Sequence, residues 1–220
     1  MNQPLVGAVL CSAGLDSIVL LAEESRRGPV LPVYVSAGLA WEEAERAALD
    51  RILATPPFAG RVAPQVTLTF DMRDVYPPTH WAISGTPPAY DTPDEDVYIV
   101  GRNIVLISKA AIACACRGIS RLTIGPLAGN PFPDATPAFF AAMGRALTLG
   151  LAHPVDVVAP FAEMDKADVI RLGDRLGVDL SLTLSCMNPQ GGAHCGRCSK
   201  CRERRDAFAA TALPDRTIYE

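Results

Sequence analysis

The chain has 220 residues, 49% of them hydrophobic and 20% charged, with a formal net charge of −4. That length makes one α/β domain or a domain with a small appendage. The composition excludes intrinsic disorder, and the acidic balance excludes a general nucleic-acid coat, leaving at most a local basic patch. The longest apolar stretches run about ten residues, too short to span a bilayer. Met1-Asn2-Gln3-Pro4 shows no charged secretion-signal region, so the expected location is cytoplasmic, where thiols stay reduced.

Residues 5–11 form an apolar run that fits a buried strand. Ser12-Ala13-Gly14 breaks it, and residues 15–27 have helical apolar spacing with Asp16 and Ser17 in the first turn. Val30–Ser36 reads as a second strand, 41–54 as a helix with Glu42, Glu43 and Glu45 near its start, and 66–70 as a third strand. Residues 71–97 carry Pro77, Pro78, Pro87, Pro88 and Pro93 and an acidic end at Asp91, Asp94, Glu95 and Asp96. They read as a long structureless loop, either a substrate cover or a mobile insertion, with His80 exposed in it beside Trp81. Residues 102–117 predict a long apolar helix in which Cys114 and Cys116 read as small core residues. A strand at 121–124, a helix at 136–149, a strand at 155–158, a helix at 165–176 and a last helix at 199–211 complete the series. Alternating strands and helices predict a doubly wound parallel α/β sheet with its ligand at the carboxyl ends of the strands. The expected division is an α/β ligand-binding domain over 1–180 and a C-terminal knuckle and helix over 181–220.

Two segments carry chemistry. Cys11-Ser12-Ala13-Gly14-Leu15-Asp16-Ser17 joins the first strand to the first helix. Its small residues let backbone N–H groups approach phosphate oxygens, Ser12 and Ser17 add hydroxyl donors, and the helix N-terminus adds positive potential. It is neither a Walker loop nor a G-x-G-x-x-G loop, and the plain alternative is a tight turn capped by Ser12 or Asp16. An acid in a phosphate loop is costly unless Mg²⁺ or a backbone amide offsets it, so Asp16 points to a metal or to bracing of the loop. The second segment holds Cys186, Cys195, Cys198 and Cys201, spaced C-x8-C-x2-C-x2-C. Four thiolates at that spacing close a tetrahedron around Zn²⁺, with an iron–sulfur cluster as the alternative. Such a site has no open position, so its role is structural. His194 reads as a surface or supporting residue, and the basic tail (Arg197, Lys200, Arg202, Arg204, Arg205) reads as a solvated face or else a grip on an anion.

The first loop resembles the S-G-G-x-D-S signature of PP-loop ATP pyrophosphatases, with Ala13 where the pattern has glycine. Tyr98-Ile99-Val100-Gly101-Arg102-Asn103 resembles the [FY]-[VI]-P-G-R-N element of the 7-cyano-7-deazaguanine synthase family. Phe132-Pro133-Asp134 with Phe139 is similar to that family's Y-P-D-C-R-x-x-F segment. Lys166 with Ile170-Arg171-Leu172-Gly173 is similar to its P-x(5)-K-x-x-[IV]-[IW]-x-L-[GA] element, and the four-cysteine stretch to its zinc knuckle. The resemblance implies an adenine nucleotide alpha-hydrolase-like PP-loop fold. It also implies a carbon–nitrogen ligase of queuosine biosynthesis that activates 7-carboxy-7-deazaguanine with ATP and Mg²⁺, adds ammonia, and dehydrates the amide to a nitrile. Whether ATP gives AMP or ADP stays open. By the same resemblance Cys11, Ser12, Ala13, Gly14, Leu15, Asp16 and Ser17 hold the nucleotide, with Asp16 and Lys166 as catalytic candidates. Arg102 meets phosphate or the substrate carboxylate, and Asp134 meets the N–H groups of a deazapurine. The plain alternatives are a surface lysine, a structural ion pair and a helix-terminal acid, and Asn103 reads as a brace or cap. Ala135-Thr136 replace the family's Cys-Arg, and Ser36-Ala37-Gly38 replace a basic and an amide side chain. Another carboxylate, a tRNA or protein acceptor, or a non-catalytic binding module therefore stay open as alternatives. Nucleic acid and membrane are not expected as partners, and a homodimer is implied by analogy alone.

Overall fold

Five parallel strands form the centre of the chain, in a computed structural model that describes residues 4–220. The reading of Met1, Asn2 and Gln3 as lacking a leader lies outside the described residues. In chain order the elements are β1 (Gly7–Leu10), α1 (Leu15–Ser25), β2 (Val30–Ser36), α2 (Glu42–Leu53), β3 (Val66–Thr69), α3 (Trp81–Ser84), α4 (Arg102–Ala115), β4 (Arg121–Thr123), α5 (Pro137–Leu151), β5 (Asp156–Val158), α6 (Lys166–Arg175) and α7 (Ser199–Ala209). The strand order is β3-β2-β1-β4-β5, a doubly wound parallel sheet as expected from the alternation.

The two faces of the sheet follow from the two-residue period of β1. Val9 and Cys11 face one buried cluster, with Leu15, Ile18 and Val19 of α1, Leu49 of α2 and Ile170 of α6. Ala8 and Leu10 face the other, with Ile107, Ala110 and Cys114 of α4 and Phe140 of α5. The chain changes face between β1 and β4, so a crevice opens at their carboxyl ends, where the loop after β1 and the segment Gly125-Pro126 meet. The C-terminal cysteines share the first cluster with α1. Gly173 sets how closely α6 approaches α1: a Cβ there would stand 2.8 Å from Val19 Cγ2 and 2.8 Å from Leu180 Cδ2.

Three details differ from the sequence reading. Residues 71–97 are not structureless. They contain α3, a 3-10 turn at Asp94–Val97, and a bridge from Ala89 to Cys198. His80 is half-buried rather than exposed: its Nδ1 accepts the Ala82 N–H at 3.2 Å as the cap of α3, and its ring stacks on Tyr76 and Trp81. Cys114 is in the core as expected, but Cys116 falls just past the end of α4, at its C-cap, and is exposed.

Candidate active site

The bend after β1 is built for close approach by an acceptor. Ala13 adopts φ 60°, the left-handed region, and its carbonyl accepts the Leu184 N–H at 2.9 Å. Gly14 is the N-cap of α1 and offers no side chain to cap it, and neither Ser12 nor Asp16 supplies one. The leading N–H groups of α1 are thus left for another partner. Ser17 Oγ accepts the Ser12 N–H at 3.2 Å and donates to the Gly14 carbonyl at 3.0 Å, which closes the bend on itself. Cys11 is buried beneath it, where burial pushes its thiol up to about 12, and it lines the first cavity.

Two adjoining cavities, 270 and 320 Å³, meet over this bend and share Ser12, Gly14, Asp16, Glu45 and Arg102 in their walls. Lys166, at the start of α6, brings its Nζ 3.3 Å from Asp16 Oδ2 and also bonds Glu203 of α7. Lys200 meets the second oxygen of Glu203 at 2.7 Å. Burial raises the Asp16 pKa, partly offset by Lys166. Burial would lower that of Lys166, but Asp16 and Glu203 outweigh it and hold the ammonium charged. Burial would likewise raise Glu203, but Lys166 and Lys200 bring it down to about 2. Asp16 Oδ1 is buried without a hydrogen-bond partner, as is Arg102 Nε.

Arg102 stands on the first turn of α4 after Gly101, whose φ of 77° turns the chain into the helix. The first cavity also has an acid-rich wall. Glu45 is buried, accepts the Tyr34 hydroxyl at 2.9 Å, and is pushed by burial up to about 7 despite Arg102. Glu42 accepts Ser36 Oγ at 2.6 Å and the Ala37 N–H at 2.7 Å, so it braces the end of β2. Asp134 also lines the first cavity, but Asn103 already engages it: its Oδ2 accepts the Asn103 N–H at 3.0 Å, and its Oδ1 the Asn103 amide at 3.3 Å. The bracing role read for Asn103 is thus observed, and Asp134 caps α4 from 31 residues away. Trp41 and Trp81, stacked at 5.6 Å, wall the second cavity with Asp94 from the proline-rich segment. Sequence reasoning gave no role to Glu45, Glu203 or Trp41. The only signal for Glu45 was its position just past the carboxyl end of β2, and Glu203 lies 37 residues from Lys166 with no pattern linking them.

The four cysteine sulfurs lie within 4.8 Å of one another, all buried. Zn–S bonds of about 2.3 Å in a tetrahedron place sulfurs about 3.8 Å apart. Cys186 and Cys198 are separated by 4.0 Å and Cys198 and Cys201 by 3.5 Å. Cys186 Sγ accepts the N–H groups of Asn188 and Cys195, each at 3.3 Å, and Cys195 Sγ that of Arg197 at 3.5 Å, the support thiolate ligands need. The donor set fits a metal ion. His194 is buried, not on the surface: its Nε2 accepts the Ser185 N–H at 3.1 Å. The basic tail is not a uniformly solvated face. Arg204 is 1% exposed and bonds Thr217, Thr183, Ser185 and the Leu180 carbonyl, and Arg205 covers the Tyr219 ring.

A parallel doubly wound sheet, an uncapped serine-flanked bend after β1 and a four-cysteine cluster define the PP-loop class of α/β folds with a metal-binding knuckle. Residues 83–212 match the family model described as queuosine biosynthesis protein QueC. A 7-cyano-7-deazaguanine synthase of Methanothrix thermoacetophila is 32% identical over 220 residues, covering 96% of this chain and 97% of that protein. One of Kineococcus radiotolerans is 31% identical over 234 residues, covering 100% and 99%. One of Azoarcus sp. is 37% identical over 131 residues, which takes in 56% of this chain and 58% of that protein. The chain belongs to the QueC family, that of the 7-cyano-7-deazaguanine synthases.

Proposed function

We propose that the chain converts 7-carboxy-7-deazaguanine, ammonia and ATP into 7-cyano-7-deazaguanine, the queuosine precursor. The observation that carries this reading is the meeting of Lys166 with Asp16 over the uncapped start of α1, in a cavity that Arg102 also lines. A carboxylate is a poor electrophile until one of its oxygens becomes a leaving group. Its oxygen attacks the α-phosphorus of ATP, the bond to the β-phosphate oxygen breaks, and pyrophosphate leaves. The N–H groups at Gly14 to Ser17, with Ser12 and Lys166, bind the phosphates, and Arg102 orients the acid or its α-phosphate. Mg²⁺ enters with ATP as its counter-ion. Ammonia then attacks the acyl carbon and AMP leaves, giving the amide. A second adenylation, on the amide oxygen, lets AMP leave again with loss of the N–H protons, and the nitrile forms.

The acid-rich wall supports an aminopyrimidine-like substrate edge, which presents N–H donors. Asp134 retains unused lone pairs beyond those engaged by Asn103, and Glu45 lines the same cavity. Cys186, Cys195, Cys198 and Cys201 would hold Zn²⁺, which supplies no chemistry and ties the C-terminal segment together.

Incubation with ATP, Mg²⁺, ammonium and 7-carboxy-7-deazaguanine is expected to give AMP, pyrophosphate and nitrile, each dependent on the deazaguanine acid. AMP formation with a different acid in its place would reassign the substrate, and no nucleotide turnover with any acid would remove the ligase reading.

A further inference from the structure

The knuckle helix reaches into the cleft. Lys200 lies on the first turn of α7, between Cys198 and Cys201, and is half-buried. Its Nζ is 2.7 Å from Glu203 Oε2 and 3.6 Å from Asp94 Oδ1. Glu203 Oε1 holds Lys166, so one carboxylate sets two ammonium groups side by side. Both lysines line the cavity that Ser12 and Gly14 also line. The lysines face three carboxylates, Asp16, Glu203 and Asp94, which leaves one negative charge over and no attraction for a bare anion. A phosphate chain carrying Mg²⁺ suits such a cluster: ammonium groups meet phosphate oxygens while carboxylates meet the cation. Asp16 Oδ1 and Asp94 Oδ1 are buried without hydrogen-bond partners and so keep acceptor capacity for it.

We propose that Lys200 is a second phosphate-binding lysine, which the four-cysteine knuckle delivers to the pyrophosphate end of the ATP site. This rests on the ATP reading above and adds a residue to it. A lysine on a loose tail loses backbone and side-chain freedom whenever it binds. Cys198 and Cys201 bracket Lys200, so a metal ion that fixes both cysteines fixes the lysine's backbone before ATP arrives. The knuckle then does more than fold the C-terminal segment, because it completes the phosphate grip. In the free protein Glu203 holds the two ammonium groups side by side.

The test is calorimetric titration of the full-length, zinc-loaded protein with magnesium pyrophosphate, and separately with AMP. Lys200→Met is expected to weaken pyrophosphate binding about tenfold, the loss of one charge-assisted hydrogen bond. AMP binding and bound zinc should stay unchanged, and Lys200→Arg should recover most of the pyrophosphate affinity. Pyrophosphate binding that falls in Lys166→Met but not in Lys200→Met would overturn the assignment of Lys200 alone. Equal losses of AMP and pyrophosphate affinity in Lys200→Met would mark a structural ion pair and overturn it as well. A parent protein that binds neither ATP nor pyrophosphate would overturn the ATP reading itself.

Discussion

Glu45 is buried at the edge of the cleft, where its charge costs stability, and its carboxyl is pushed up to about 7 from the ordinary 4.5. For an acid with a raised pKa the folded state binds the proton more tightly than the unfolded chain does. Its contribution is therefore full below about pH 4.5 and is lost as pH rises through about 7, amounting to about 3 kcal/mol. Glu45→Gln does not titrate. Denaturant melts should show its stability advantage over the parent growing by about that amount between pH 4 and pH 8; a gap that stays constant with pH would mean the carboxylate is solvated or firmly paired. At the same scale, Ala13 shows what a motif can hide. A Cβ at φ 60° costs about 1–2 kcal/mol, and the Leu184 bond to the Ala13 carbonyl helps hold the residue there. The loop and the four cysteines stand out in the chain by residue type and spacing, whereas Lys166 and Arg102 stand out only through the resemblance to the family's motifs. Glu45 and Glu203 carry no such signal, because their meaning comes from neighbours distant in the chain, and Lys200 read only as one member of a basic run that was either a solvated face or a grip on an anion. Arg204 read as one charge in a basic run, and nothing in such a run says which member is buried.

Among the elements, α6 carries Lys166 to the bend, and its distance from α1 is set at Gly173. Gly173→Ala would drive a methyl into Val19 and Leu180, so α6 must back away from α1. The expected cost is about 1–3 kcal/mol of stability, as for other overpacked contacts. Because Lys166 begins the same helix, affinity for ATP should fall as well. Unchanged ATP affinity with lowered stability would show that the lysine is positioned by Glu203 rather than by helix packing. Every strand and long helix was legible in the sequence, with ends displaced by a few residues. The segment over 71–97 was not. Its four-residue helix is too short to show a period and is held by the His80 cap and by stacking on Trp41, contacts that proline spacing does not encode.

Across the whole molecule, the sheet order places the bend after β1 beside the segment after β4, and Arg102, Lys166 and Lys200 arrive at that edge from helix starts. The knuckle joins the same buried cluster as α1, which gives the C-terminal cysteines a mechanical path to the cleft. No helix among the described residues is long and apolar enough to cross a membrane. A parallel sheet covered on both faces was legible from alternation, but its strand order was not, and Arg204's buried bonds to Thr183, Ser185 and Leu180, which tie the C-terminal segment together, have no signature in the chain. A crystal structure of the full chain with a non-hydrolysable ATP analogue and Mg²⁺ decides the nucleotide reading. The triphosphate should lie on the N–H groups of Gly14 to Ser17, within reach of Ser12 and Lys166. Nucleotide bound elsewhere, with that bend vacant, would detach the fold from the chemistry proposed for it.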